Sequence, residues 1–333
     1  MATITSHYAR AALYGAKQQG KNLTQLLSQA GISERLIQAE EGRIHAEQMT
    51  QLIKAIWDGL ADEFMGFTPT PCKQGAFAMM CKLTSHCNTL DALFAQGIEF
   101  YQLINDDIQM HYLATGDKRE FIVSMTHPSY DPEHFFQEFW LVIWHRYASW
   151  IIGQKIKLQA AYFSYPKPKH ADEFKYQFAC PCHFSAKETK LVFSQHYASL
   201  PPVRTQRELA HFLKRSPADL MTIPGDDSSL SRDIKALLLN LSNQQQDLPE
   251  LKKLAKHFHM SPQSLGRKLR EEGTSYQKLK DIIRCDIAIE KLAVQKMTVN
   301  KVAEILGFAE ARSFTRAFKQ WTGLPPSAYQ EKS

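Results

Sequence analysis

Two stretches near the C-terminal end carry long hydrogen-bonding side chains at helical spacing. In LKKLAKHFHMSPQSLGRKLREEG (251–273), Ser261 can cap a helix and Pro262 suits its first position. On a wheel of about 100° per residue with Leu265 at zero, Leu269 falls near ~40°. Gln263, Arg267 and Arg270 fall at about 160°, 200° and 140°, on the opposite face, with Ser264 beside them. A short helix holding Leu254, Ala255 and Phe258 precedes the turn, so the segment reads as a helix-turn-helix. That shape lays its second helix into a DNA major groove.

The arrangement recurs in VAEILGFAEARSFTRAFKQWTG (302–323). Ala303 matches Ala255, Phe314 and Phe318 match Leu265 and Leu269, and Gly323 matches Gly273, with one extra residue in the second turn. With Phe314 at zero, Arg312 and Arg316 lie at about 160° and 200°, flanked by Ala311 and Ser313. Arginine suits bidentate contact with guanine, each good pair adding ~1–3 kcal/mol of discrimination. A lone charged helix face is ordinarily just solvated. Two capped units in one basic region argue for recognition. Tyr276 to Ala293 reads as one helix between them, able to set the units about one DNA turn (~34 Å) apart.

Charge distribution agrees. The 333 residues have a formal charge of +6. Residues 1–230 hold 22 Lys+Arg against 23 Asp+Glu, whereas residues 231–333 hold 18 against 11. A near-neutral region is thus joined to one that could meet a polyanion.

The region before residue 224 mixes helix and strand signals. Thr50–Phe64 and Thr89–Leu103 carry apolar stripes of helical period. Ile108–Leu113 and Arg119–Ser124 alternate around Ala114-Thr115-Gly116-Asp117, a hairpin signature. A long apolar helix is expected over Asp131–Lys155, starting at Asp131-Pro132, and strands over 156–164, 174–178 and 189–194. The expected organisation is an α+β ligand-sensing domain (1–224), a linker (225–231) and an all-α domain (232–333) with two helix-turn-helix units joined by a linker helix.

Other constellations are thinner. Cys180-Pro181-Cys182-His183 lacks the second ligand pair of structural zinc. Cys72, Cys81 and Cys87 show no metal spacing, so neither metal nor cofactor is expected. Eleven of the 13 histidines precede residue 231 but are scattered. With no GxSxG, P-loop or GxGxxG, no catalytic residue is assigned and no enzyme is expected. The apolar run 135–152 contains Glu138, His145 and Arg146, costly in lipid, and Met1–Arg10 lacks a signal-peptide pattern. These readings give no membrane partner, reduced thiols and a cytoplasmic location. The aromatic helix 135–150 reads chiefly as core. If it also lines a ligand pocket, Trp144, His145 and Arg146 are the contacts to examine.

Residues 299–330 resemble the signature of the AraC/XylS family of bacterial transcription regulators. The resemblance rests on Val302-Ala303, Leu306-Gly307-Phe308, Ser313-Phe314, Arg316, Phe318-Lys319, Gly323, Pro325 or Pro326, and Tyr329. It implies base-reading positions at Gln263, Gly266 and Arg267, and at Ala311, Arg312 and Arg316. Gly266 departs from the long side chain that relatives often carry there. It removes a potential base contact and costs ~1 kcal/mol of helix stability relative to Ala. Phe163–Pro202, with Leu26–Ile44 and Gly75–Leu103, is similar to the arabinose-binding-type sensor of ornithine-utilisation regulators. Pro166, Pro168, His170, Tyr176, Phe178, Phe184, Leu191 and Leu200-Pro201 carry that likeness.

Together the resemblances imply a DNA-binding transcription regulator, an activator by expectation, controlled by a small organic effector. Its implied partners are double-stranded promoter DNA, RNA polymerase and a second copy of the chain as homodimer. The alternatives are a ligand-insensitive DNA-binding structural protein and a DNA-alkylation-repair methyl acceptor. The latter would need a four-cysteine zinc site near the N-terminus, where only three widely spaced cysteines occur.

Overall fold

A computed structural model describes residues 3–39, 42–214, 220, 230–243, 248–271 and 274–330. Most of the expected linker (225–229), and Gly273 as closing residue of a helix, lie outside the described residues.

Along the chain run β1 (Thr3–Thr5), α1 (Ser6–Ala12), α2 (Tyr14–Gln18), α3 (Leu23–Gln29), α4 (Glu34–Gln38) and β2 (Arg43–His45). Next come α5 (Ala46–Leu60), α6 (Ala76–Thr84), α7 (Leu90–Ile104), β3 (Ile108–Thr115), β4 (Lys118–Met125) and α8 (Phe135–Ile151). Then follow β5 (Leu158–Tyr162), α9 (Phe174–Gln177), β6 (Cys182–His183), β7 (Thr189–Ser194) and α10 (Gln206–Leu213). The last part is helical: α11 (Leu230–Asn243), α12 (Leu251–His257), α13 (Pro262–Glu271), α14 (Tyr276–Ile289), α15 (Val299–Ile305) and α16 (Ala311–Thr322). These elements form two compact units. One comprises Met1–Ser6, Gly31–Ala46 and Asp226–Ser333, the other His7–Ala30 and Glu47–Gly225.

The second unit is the α+β part. Its sheet has the order β3-β4-β7-β5-β6, antiparallel except for the β5–β6 edge pair. The expected hairpin pairs Ile108 through Thr115 with Met125 through Lys118, and Gly116 supplies the positive φ of +61° its turn requires. Helix α8 is buried through nearly its whole length. Its packing is close enough to fix Gly97: a Cβ there would sit 2.7 Å from Cη2 of Trp144.

Two expectations need correction here. Helix α8 starts at Phe135, not at Asp131-Pro132. Asp131 still satisfies the start, its carboxylate accepting from the backbone N–H of Phe136 (3.1 Å) and Gln137 (3.0 Å). Residues 174–178, expected as a strand, form the single turn α9. Phe174 and Phe178 are buried on one side of that turn, against Phe163 at 4.8 and 5.4 Å. Their spacing of four serves a helix face as well as it serves alternation.

The first unit contains a feature with no sequence signal. Strands β1 and β2 pair antiparallel, and together with α4 they belong to the unit built from residues 226–333. Thr3 Oγ1 donates to Asp286 of α14 at 2.6 Å, and Tyr329 Oη accepts from the N–H of Arg43 at 3.3 Å. Ser33 Oγ donates to the carbonyl of Ala328 at 3.3 Å.

Candidate nucleic-acid interface

Both helix-turn-helix units are built alike. In the first, Met260 N–H reaches back to Ala255 O (2.9 Å), and His259 holds φ +53°. In the second, Phe308 N–H reaches Ala303 O (3.0 Å), and Gly307 holds φ +74°. This is the same left-handed helix stop, closed by a six-residue backbone bond. Glycine adopts that conformation freely; histidine does so at a conformational cost.

The second helix of each unit then starts as its sequence demands. Ser261 Oγ accepts from the N–H of Ser264 at 3.1 Å, with Pro262 in the first turn. Glu310 caps α16 by its backbone position without a side-chain bond, and Gly323 ends it at φ +73°. Leu265, Leu269, Phe314 and Phe318 are fully buried, as the wheels require. Phe318 meets Tyr329 edge-on at 5.0 Å and Phe314 at 5.5 Å, while Phe308 lies 5.6 Å from Phe314.

The expected readers lie where the wheels put them. Gln263, Arg267, Arg270, Arg312, Ser313 and Arg316 are exposed, whereas Ser264 and Ala311 are half-buried. Ser264 is partly used locally, its Oγ accepting from Ser261 Oγ at 2.9 Å. Gly266 leaves open space: a Cβ there would meet only Arg270 Nη2, at 4.0 Å. Arg270 folds toward that space and donates from Nε to Gly266 O at 3.2 Å. Beside it a hollow of about 450 Å³ is lined by Gly266, Arg270, Ser275, Tyr276 and Lys280. Helix α14 carries Tyr276 and Lys280 and continues as a π-turn through Glu290–Val294.

In the α+β unit the three expected ligand contacts do not converge. Trp144 lies in the core, stacked 5.4 Å from Phe94 and 5.1 Å from Phe121. His145 Nε2 bonds Ile156 O at 2.7 Å, and burial pushes its pKa down to about 4. Arg146 donates to Leu220 O and is buried, with its pKa lowered to about 9. Among the described residues no carboxylate pairs with it.

Sequence reasoning missed a buried polar cluster around Glu138. Its buried carboxylate accepts from Tyr165 Oη (2.7 Å) and Tyr8 Oη (3.1 Å) and bonds His170 Nε2 (3.0 Å). Burial raises its pKa, against the pull of those partners. The ring of His7 stacks on His170 at 3.9 Å, and burial, then His170 and Arg10, lower its pKa to about 3. The partners lie 27 to 130 positions from Glu138, a separation no spacing rule detects. A groove of about 610 Å³ also opens between α3 and α5, lined by Lys21, Gln25, Gln29, Gln51, Lys54 and Asp58. Among the described residues no three His, Cys, Asp or Glu side chains are placed to hold a metal ion, and no helix is long and apolar enough to cross a membrane.

Comparison with known proteins gives one match in the N-terminal part and one in the C-terminal part. A family model described as "Arabinose-binding domain of AraC transcription regulator, N-term" matches residues 20–202, and one described as "Helix-turn-helix domain" matches 254–332. The ornithine utilization regulator of Pseudomonas aeruginosa is 29% identical over 185 residues, 55% of this chain and 53% of that protein. The regulator VqsM of the same organism is 34% identical over 82 residues, a quarter of each chain (25% and 25%). The match thus spans about half the length of the first relative. The solved structure of the transcriptional regulator CdpR from Pseudomonas aeruginosa aligns over 98% of both chains at 18% identity, with a TM-score of 0.32.

Proposed function

The chain belongs to the family of AraC transcription regulators with an arabinose-binding N-terminal domain, and from that membership we propose that it binds promoter DNA sequence-specifically under control of a small organic effector. The observation that carries the reading is the pair of matched helix-turn-helix units. Each turns its large apolar side chains inward and its long donors outward. Gln263, Arg267 and Arg270 would serve one groove segment and Arg312, Ser313 and Arg316 the next, with Ser264 and Ala311 at the helix starts. Domain roles follow: residues 1–224 sense, apart from the segments that join the DNA-binding unit, 225–231 link and 232–333 bind DNA. Strands β1 and β2 and helix α4 brace the DNA-binding part. Activation would act through RNA polymerase, with a second copy of the chain on a paired half-site.

Arg316→Ala tests the DNA reading. Loss of a bidentate guanine contact is expected to weaken cognate binding by ~5- to 150-fold, equivalent to ~1–3 kcal/mol, while binding to random DNA changes little. Equal losses on both would reduce Arg316 to a phosphate contact. DNA fragments selected from genomic DNA with the purified protein supply the cognate site.

For the effector, the name of the ornithine utilization regulator supplies the first probe, L-ornithine. Arg146 supports a carboxylate-bearing ligand, because its buried Nε has no partner among the described residues and would gain one from such a ligand. Trp144 and His145, expected beside it, are held against Phe94 and by Ile156 O, so Arg146 would carry the contact alone. Calorimetric titration of the full chain with L-ornithine is expected to show binding that Arg146→Met reduces more than tenfold. Binding unchanged in that variant would move the site elsewhere, and the α3–α5 groove would be tested next.

A further inference from the structure

The Cys180-Pro181-Cys182 segment is left unused by DNA binding and by effector control, yet its two thiols are not ordinary. Cys182 lies on β6, the edge strand of the sheet, which pairs only with β5. The register is held by Ala161 N–H to Pro181 O (3.0 Å) and Phe163 N–H to His183 O (2.8 Å). Residues i and i+2 come within the range that a disulfide spans only where the chain bends, and Cys180 lies in a bend just before β6. Cys182 Sγ donates to Cys180 O at 3.4 Å, which brings it back over residue 180. Ala179 enters the segment at φ +50°, a strained left-handed conformation for a residue with a Cβ.

We propose that Cys180 and Cys182 form a peroxide-responsive dithiol that closes to an intramolecular disulfide at the sheet edge. The other four cysteines are poor competitors. Cys72, Cys81 and Cys285 are buried, and Cys87 binds Gln96 Oε1 at 3.1 Å. Burial holds all four thiols above the ordinary cysteine pKa, whereas the Cys180 thiol lowers that of Cys182. Cys182 is therefore the attacking thiolate and Cys180 the resolving thiol.

In the first step the Cys182 thiolate attacks one oxygen of hydrogen peroxide. An S–O bond forms, the O–O bond breaks, and hydroxide leaves, giving a sulfenic acid. Cys180 sulfur then attacks Cys182 sulfur, forming S–S and breaking S–O. Its proton leaves with the departing hydroxyl as water. In sum two thiols and one peroxide give one disulfide and two waters. The short loop makes a strained bridge, the kind that reduces readily and suits a switch.

The test uses the reduced full chain and about one equivalent of hydrogen peroxide, followed by tryptic digestion under thiol-blocking conditions. The fragment Tyr176–Lys187 is expected to lose about 2 Da, two hydrogens, as the disulfide forms. Its oxidation should run at least ~10-fold faster than that of the fragment carrying Cys87, and dithiothreitol should reverse it. Cys180→Ser should stop at a trappable sulfenic acid on Cys182, whereas Cys182→Ser should react at least ~10-fold more slowly. Both replacements are small and at half-buried positions, so far-ultraviolet circular dichroism checks that the fold persists. A fragment that stays reduced while Cys87 oxidises would overturn the proposal. So would bridges formed only between molecules, or zinc recovered on these two thiols in the reduced protein.

Discussion

Phe318→Ala is expected to destabilise the DNA-binding unit by about 3–5 kcal/mol, the range for emptying a buried phenylalanine site. Phe318 has no exposed surface and joins α16 to the C-terminal turn through Tyr329, 5.0 Å away, and to Phe314 at 5.5 Å. The neighbours cannot close over the space easily. Thr322 Oγ1 is held by Phe318 O at 2.8 Å and Leu324 O at 2.9 Å, and Tyr329 by its bond from Arg43. Trp321, half-buried on the same helix, reports the loss in a urea titration of the full chain. The cognate footprint should lose the segment assigned to Arg312 and Arg316 before the one assigned to Arg267. Phe318→Leu, which keeps most of the volume, should cost under ~1.5 kcal/mol. A loss below ~1 kcal/mol for the alanine variant would mean that Phe318 does not join α16 to its unit.

What the sequence revealed, and what it hid, divides along a physical line. The recognition units were legible because every determinant is local: a cap at Ser261, a stop at Gly323, and apolar pairs at i and i+4 that the fold buries. The β3–β4 hairpin was legible for the same reason. Errors arose where distant residues decide. Phe174–Phe178 has a pattern that fits strand or helix, and packing on Phe163 selects the turn. By its chemistry Asp131 suits a cap, and the sequence alone places the helix start there. It does serve the first N–H groups of α8, from outside the helix. Arg146 stands out in the sequence only as a polar residue in an apolar run. The fold shows it buried, and the other two side chains named with it point elsewhere. Glu138 lies in the same run, where the sequence marks it only as a charge unwelcome in lipid. Its partners come from α1 and from the loop after β5, and no local rule joins them.

Asp286→Asn is expected to stabilise the DNA-binding unit by about 3 kcal/mol at pH 7.5 and to change little below pH 4. Asp286 is buried on α14, and burial raises its pKa from 3.8 to about 6, against the opposing pull of the Thr3 hydroxyl and Arg43. The folded unit therefore keeps a proton that the unfolded chain has already released. The stabilisation from the protonated side chain is full below pH 3.8 and is lost as pH rises through about 6. Asparagine stays neutral throughout, and its carbonyl can still accept the 2.6 Å bond from Thr3. Urea titrations of wild type and variant at pH 4 and pH 7.5 decide the matter. Should the variant be weaker at pH 7.5, the charge on Asp286 is held by Arg43, and the β1–β2 pair is an electrostatic clasp. A gain at pH 7.5 alone would make Asp286 a buried acid that the DNA-binding unit tolerates because Thr3 and Arg43, some 240 or more positions upstream, fold back to cover it.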